Sequence, residues 1–105
     1  MSDNRRTSTR HPVSLPAKMA IEKEAALGCT VLNLSLGGAL ISSEKKIPMG
    51  VRVFLVFSIP TIAEPIEIGG TIRWADHGGN GVQFDGLRAR DVWGLNKYFE
   101  QLQAQ

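Results

Sequence analysis

The sequence predicts an all-β domain of about six short strands closed by one C-terminal helix, either a small antiparallel barrel or a sandwich. Three observations predict it. Apolar and polar residues alternate along several stretches, turns rich in Gly and Pro separate those stretches, and only the end of the chain changes to a helical period.

Residues 1–10 are polar and rich in Ser, Thr and Arg, with nothing apolar after Met1 to bury, so they read as an arm. Leu15, Ala17, Met19 and Ile21 then alternate with Pro16, Lys18, Ala20 and Glu22, the period of a strand with one face on a core. Pro16 places this strand at an edge or an entry. In the next run, Cys29 to Leu34, strict alternation puts Thr30, Leu32 and Leu34 on one side and Val31, Asn33 and Ser35 on the other. Gly37-Gly38 breaks the run, and Ala39 to Ser42 resumes it.

Ile47-Pro48-Met49-Gly50 reads as a turn before the strongest strand, Val51 to Ile59. Val51, Val53, Leu55 and Phe57 form its inner face; Phe54 and Val56 make the other face apolar too, which predicts a central strand or one lying under the helix. Ile66, Ile68, Gly70, Ile72 and Trp74 continue the pattern, with Gly69-Gly70 predicting a bulge or sharp bend. His77 to Gly81 is turn chemistry, and Val82-Gln83-Phe84 completes a hairpin. Val92, Leu95, Phe99 and Leu102 step by three and four, one stripe of a helix from about Arg88 to Gln103. Asp85 or Asp91 suits its N-terminal end. Gly94 costs that helix roughly 1 kcal/mol relative to Ala, so packing must hold it.

A chain of 105 residues builds one small core, and a cleft walled on all sides would compete with it for residues. Binding at an open surface is the expectation. The net charge of +2 is local: Arg5, Arg6 and Arg10 stand against Asp3 in the arm, while cations and anions balance over the rest. Coating duplex DNA or an anionic membrane takes a broad cationic face, so neither is an expected partner; a basic arm on a neutral body suits a compact anion. Cys29 is the single cysteine, which excludes an internal disulfide, and its place in an apolar run reads as core. No apolar run approaches the ~20 residues needed to span a bilayer, and the first residues lack the apolar segment of a secretory signal, so the expected location is cytoplasmic.

Nothing in the sequence assembles a catalytic or metal site. His11 and His77 have no second ligand at a metal-like spacing, and Ser35 lacks the glycine-flanked elbow of a hydrolase nucleophile. The expectation is a protein that is not an enzyme and carries no cofactor. Trp74, Trp93, Tyr98 and the phenylalanines fall at strand or helix periods and read as packing. No aromatic cluster is interleaved with basic residues as a groove for single-stranded nucleic acid would need.

Two segments offer binding chemistry, each with a plainer alternative: a solubilising tail for the first, an Asx or Ser turn ending a strand for the second. In Arg6-Thr7-Ser8-Thr9-Arg10, preceded by Arg5, two planar guanidinium forks sit four positions apart, and such forks chelate phosphates or the O6 and N7 acceptors of guanine. In Asn33-Leu34-Ser35-Leu36-Gly37-Gly38, an extended strand projects Asn33 and Ser35 to the same side, and Gly38 allows a turn or close approach. Together they resemble the PilZ family, whose pattern is an RxxxR arm followed by [D/N]xSxxG on a barrel strand. The Ile72-Arg73-Trp74 strand end, Gly81 to Phe84 and the closing helix are similar to that family as well.

The resemblance implies a six-stranded antiparallel β-barrel spanning residues 14–86, an arm over 1–13 and a helix over 87–103. It also implies a bacterial receptor for cyclic di-GMP, with Arg5, Arg6, Arg10, Asn33, Ser35, Gly37 and Gly38 as the binding residues. In the family a basic residue at the place of Arg5 goes with a stacked ligand pair, so one or two molecules per chain are implied. Output then runs through an effector protein, motility being one usual result. Asn33 has one acceptor oxygen where a carboxylate has two, which predicts a looser hold on guanine. A PilZ-like adaptor that does not bind the nucleotide is the alternative, and a barrel binding single-stranded nucleic acid is a weaker one.

Overall fold

The computed structural model describes residues 9–21, 24–76 and 79–103. Six antiparallel strands close into a barrel: β1 (His11–Ile21), β2 (Leu27–Leu34), β3 (Gly38–Ser42), β4 (Arg52–Phe57), β5 (Ile66–Asp76) and β6 (Gly79–Phe84), with helix α1 (Ala89–Gln103) after them. Around the barrel the order is β1-β2-β3-β6-β5-β4, and β4 pairs back onto β1. The sandwich alternative falls.

Inward residues follow the alternation where the strands are regular. Ala17, Met19 and Ile21 of β1 meet Val53, Leu55 and Phe57 of β4 inside the wall. Burying each of these side chains larger than Ala17 stabilises by about 1.5–3 kcal/mol. β1 begins at His11, so residues 11–13, assigned to the arm from sequence, are strand. Pro16 sits within β1, just before pairing with β4 begins at Ala17, which is a local edge. Of the two placements expected for β4 the central one holds, with a strand on each side, and Phe54 on its outer face is 46% exposed.

Bulges fall elsewhere than the sequence placed them. Gly69 and Gly70 pair regularly with Phe54 and Val53, and the register shift on β5 comes between Ile72 and Trp74. The two glycines serve close approach instead. A Cβ on Gly70 would lie 2.7 Å from the Gln83 carbonyl oxygen, and one on Gly69 2.7 Å from Asp85 Oδ2. A second shift, on β2 between Val31 and Asn33, breaks the alternation there: Val31 and Leu34 are both fully buried, not on opposite faces.

Both barrel ends are plugged. At one, buried Ile47 enters from the loop before β4, and Asn80 Nδ2, itself buried, donates to the Ile47 carbonyl at 3.0 Å. Asn80 is therefore a strand anchor and not the turn residue expected. At the other, α1 packs Leu95, Tyr98 and Phe99 onto the core, His11 stacks on Phe99 with ring centroids 4.0 Å apart, and Thr61 Oγ1 donates to the Gly94 carbonyl at 2.6 Å. Gly94 is explained by this docking, since a Cβ there would lie 2.8 Å from Ile62. Asp91 is buried in the first turn, paired with Arg90 at 3.0 Å and Arg88 at 3.5 Å, where the helix dipole favours an anion.

Asp85 goes to a different partner. Arg52 grips it with two bonds of 2.6 Å and also donates to Thr71 Oγ1 at 3.0 Å. The Arg52 hydrogen bonds hold the Asp85 carboxyl below its usual value, against a smaller opposing effect of desolvation. A depressed folded value means that the pair contributes above the ordinary carboxylate pKa and is lost as pH falls through the folded one. The pair is exposed, so its contribution is small. NMR titration is expected to give Asp85 a midpoint below that of a free Asp, and Arg52→Met should return it to the ordinary value.

Candidate functional site

The turn between β2 and β3 is built around one hydroxyl. Ser35 Oγ accepts from Gly37 N at 3.2 Å and Gly38 N at 3.1 Å and donates to the Gly38 carbonyl at 3.2 Å, while Ser35 N bonds that same carbonyl at 2.9 Å. Its single proton and both lone pairs are thereby engaged. Ser35 is only 3% exposed. The expectation that Asn33 and Ser35 stand side by side on the outer wall is thus corrected: the β2 irregularity and the turn draw Ser35 inward, where it shapes the loop. Gly37 is fixed from the other side, its carbonyl accepting from Phe84 N at 2.9 Å.

Asn33 remains partly accessible, and Arg10 Nη1 donates to its Oδ1 at 2.9 Å. This bond crosses 23 positions of sequence and joins the second arginine of the arm motif to the first residue of the barrel motif. Arg5 and Arg6 lie outside the described residues. β1 places Arg10 here because His11 pairs with Leu34 and Pro12 with Asn33, so the end of the arm emerges beside the end of β2.

Arg10, Ser35, Gly37 and Gly38 line one end of an open groove of about 320 Å³ that continues over Arg73, Trp74, Gly81, Val82 and Gln83. The last five were missed as site residues by the sequence reading, which assigned Trp74 to the core. The β5 bulge is the reason. Ile72 faces inward, and the extra residue sends Arg73 and Trp74 both outward. The indole then lies over Gly81, where any side chain would collide with it. The usable signal in sequence was a glycine opposite a large aromatic in a hairpin.

The groove therefore combines two guanidinium groups, neither in an ion pair among the described residues, a half-exposed indole face and backbone with no side chain in the way at Gly37. Arginine suits phosphate and guanine edges, and an indole suits a base face. Among the described residues no group of three or more His, Cys, Asp or Glu is placed to hold a metal ion, and no helix is long and apolar enough to cross a membrane. An aromatic platform beside cations is a device for a flat, anionic ligand. Gly81→Val should displace the indole, read as a shifted Trp emission maximum together with weaker ligand binding.

The chain belongs to the PilZ domain family, whose model matches residues 4–101. PilZ domains are regulatory receptor and adaptor domains for cyclic di-GMP, and some do not bind the nucleotide. Among solved structures, the Bacillus subtilis inhibitor of motility MotI/DgrA is similar with a TM-score of 0.74 and 18% identity, over 90% of this chain and 49% of that one. The chain thus spans about half the length of MotI/DgrA. The PilZ domain of CeSA from a cellulose-synthesizing bacterium matches with a TM-score of 0.67 and 18% identity, over 89% of this chain and 97% of that one. These likenesses establish the fold: a closed six-stranded barrel with a C-terminal helix. No curated protein matches the sequence.

Proposed function

We propose that this chain is a cytoplasmic cyclic di-GMP receptor that binds the nucleotide between its arginine arm and the β3–β6–β5 wall and acts on an effector protein. The observation that supports the reading is the hydrogen bond from Arg10, which lines the groove, to Asn33, joining the last residue of the arm motif to the first residue of the barrel motif. Arg10 spends one of its five donors on Asn33 and keeps the rest for phosphate or guanine. Asn33 Oδ1, which accepts from Arg10, keeps its second lone pair for a guanine N–H. Ser35 and Gly38 act indirectly, by fixing the loop, and Gly37 supplies clearance. Trp74 and Arg73 extend the binding surface along the groove.

Energetics divide the work between arm and barrel. A bidentate arginine contact is worth about 1–3 kcal/mol, and ordering a free arm costs ~2–5 kcal/mol. Arg6 and Arg10 then roughly offset the cost of ordering the arm, and the barrel contacts supply the surplus. Arg5 is the residue through which a second, stacked nucleotide would be held. The name of the MotI/DgrA neighbour, an inhibitor of motility, favours a motility output.

Calorimetric titration with cyclic di-GMP, and with GMP as a control, tests the reading. Binding of cyclic di-GMP with one or two molecules per chain, and much weaker heat from GMP, is expected. No heat and no shift in melting temperature would assign the chain to the adaptors that do not bind.

A further inference from the structure

Among the described residues the exposed large apolar side chains are Met49, Phe54, Trp74 and Trp93. Trp74 lines the groove, Trp93 carries Lys97 Nζ 6.0 Å from its ring centroid, and Met49 sits in the turn before β4. Phe54 has no such account. It stands on the outer face of β4, with the small residues Ala20 and Gly69 directly across from it on β1 and β5. A hollow of about 240 Å³ lined by Ala20, Arg52, Val53, Phe54 and Gly69 opens beside the ring.

The rows on this wall have a particular charge order. Next to the Ala20, Phe54, Gly69 row lies Lys18, Val56, Glu67, a cation and an anion flanking an apolar centre. Lys18 and Glu67 are exposed, and neither is in an ion pair among the described residues. A two-fold axis running along β4 in the plane of contact turns every row end for end onto its own copy. Lys18 then faces Glu67 of the second copy twice over, Val56 meets Val56, and Phe54 meets Phe54 above the space left by Ala20 and Gly69. Arg52, which the same axis brings near its copy, is already neutralised and drawn aside by Asp85.

We propose that the β1–β4–β5 wall is a self-association surface that takes a second copy of this chain on a two-fold axis along β4. A two-fold interface must be self-complementary, and opposite charges at equal steps on either side of an apolar centre line meet that condition. The barrel is closed, and the stretch of β1 before Ala17 that lacks a β4 partner carries Pro12 and Pro16, so strand-edge pairing is disfavoured and face-to-face contact is the route. The two surfaces share strand β5 but no residue, the groove taking Arg73 and Trp74 and the wall Glu67 and Gly69, so the proposal is tested separately from nucleotide binding.

Sedimentation equilibrium of the full chain over a wide concentration range, without nucleotide, is the test. The expected result is a monomer to dimer transition, with Phe54→Ser remaining monomeric. Lys18→Glu and Glu67→Lys should each raise the dimer dissociation constant by about tenfold or more, and the combined reversal should restore it. A single 11.5 kDa species at every concentration would overturn the proposal. So would a dimer indifferent to the single reversals, or one that the double reversal fails to rescue. Circular dichroism of each variant separates lost association from lost folding.

Discussion

Arg10→Ala is expected to weaken cyclic di-GMP binding by about 10- to 100-fold, the loss of one bidentate guanidinium contact, while leaving the melting temperature of the free protein nearly unchanged. The second half follows from exposure: the bond to Asn33 is at the surface, where removing it leaves both partners to water. Asn33→Ala should weaken binding too, and the double variant should lose less than the sum, because the two side chains are joined before ligand arrives. Asn33→Asp is expected to tighten binding, since a carboxylate can accept two guanine N–H groups where the amide accepts through one oxygen. Isothermal calorimetry on the native chain and the four variants checks all of this. Full affinity in Arg10→Ala would remove the arm from the site.

Gly38→Ala is expected to be the most damaging small change in the site, and for a reason unrelated to ligand. A Cβ there would run into the Val82 carbonyl oxygen, backbone against backbone, at the seam where β3 pairs with β6. Neither partner can yield, because β6 is held by β5 on its other side and Gly38 is held by Ser35. Overpacking of this kind costs about 1–3 kcal/mol, and each kcal/mol lowers the melting temperature of a domain this size by roughly 4–8 °C. Gly37→Ala is the control. Its Cβ would enter open space, so stability should stay within about 0.5 kcal/mol and any effect should appear in ligand affinity alone. Thermal melts of the two variants separate a glycine required by the seam from one that only clears the groove.

The elements that could be read from sequence are those set by local pattern. β1 and β4 alternate for long enough to define an inner face, α1 carries its stripe on Leu95 and Phe99, and the arm and loop motifs lie in short stretches. What escaped depends on pairing across the barrel. The bulge that exposes Arg73 and Trp74 exists only relative to β6, and the one that places Val31 and Leu34 together only relative to β3. Arg52 and Asp85 are 33 positions apart, and nothing local marks them as partners. Ser35 was singled out as a ligand contact on strand parity, which fails once the strand has ended. Its hydroxyl spends all its capacity on the turn. Arg10 and Asn33 came together as the motifs implied, because β1 and β2 are adjacent antiparallel strands and their pairing brings those ends side by side.

Closure of the wall has a kinetic consequence. Every strand has hydrogen-bonded neighbours on both flanks, β1 from Ala17 onward, so unzipping of the central ladders has no open side from which to start, and partial opening of one strains the two beside it. The amide protons of the central ladders should therefore exchange with solvent deuterium through a shared, whole-domain event, while those of the connecting loops exchange far sooner.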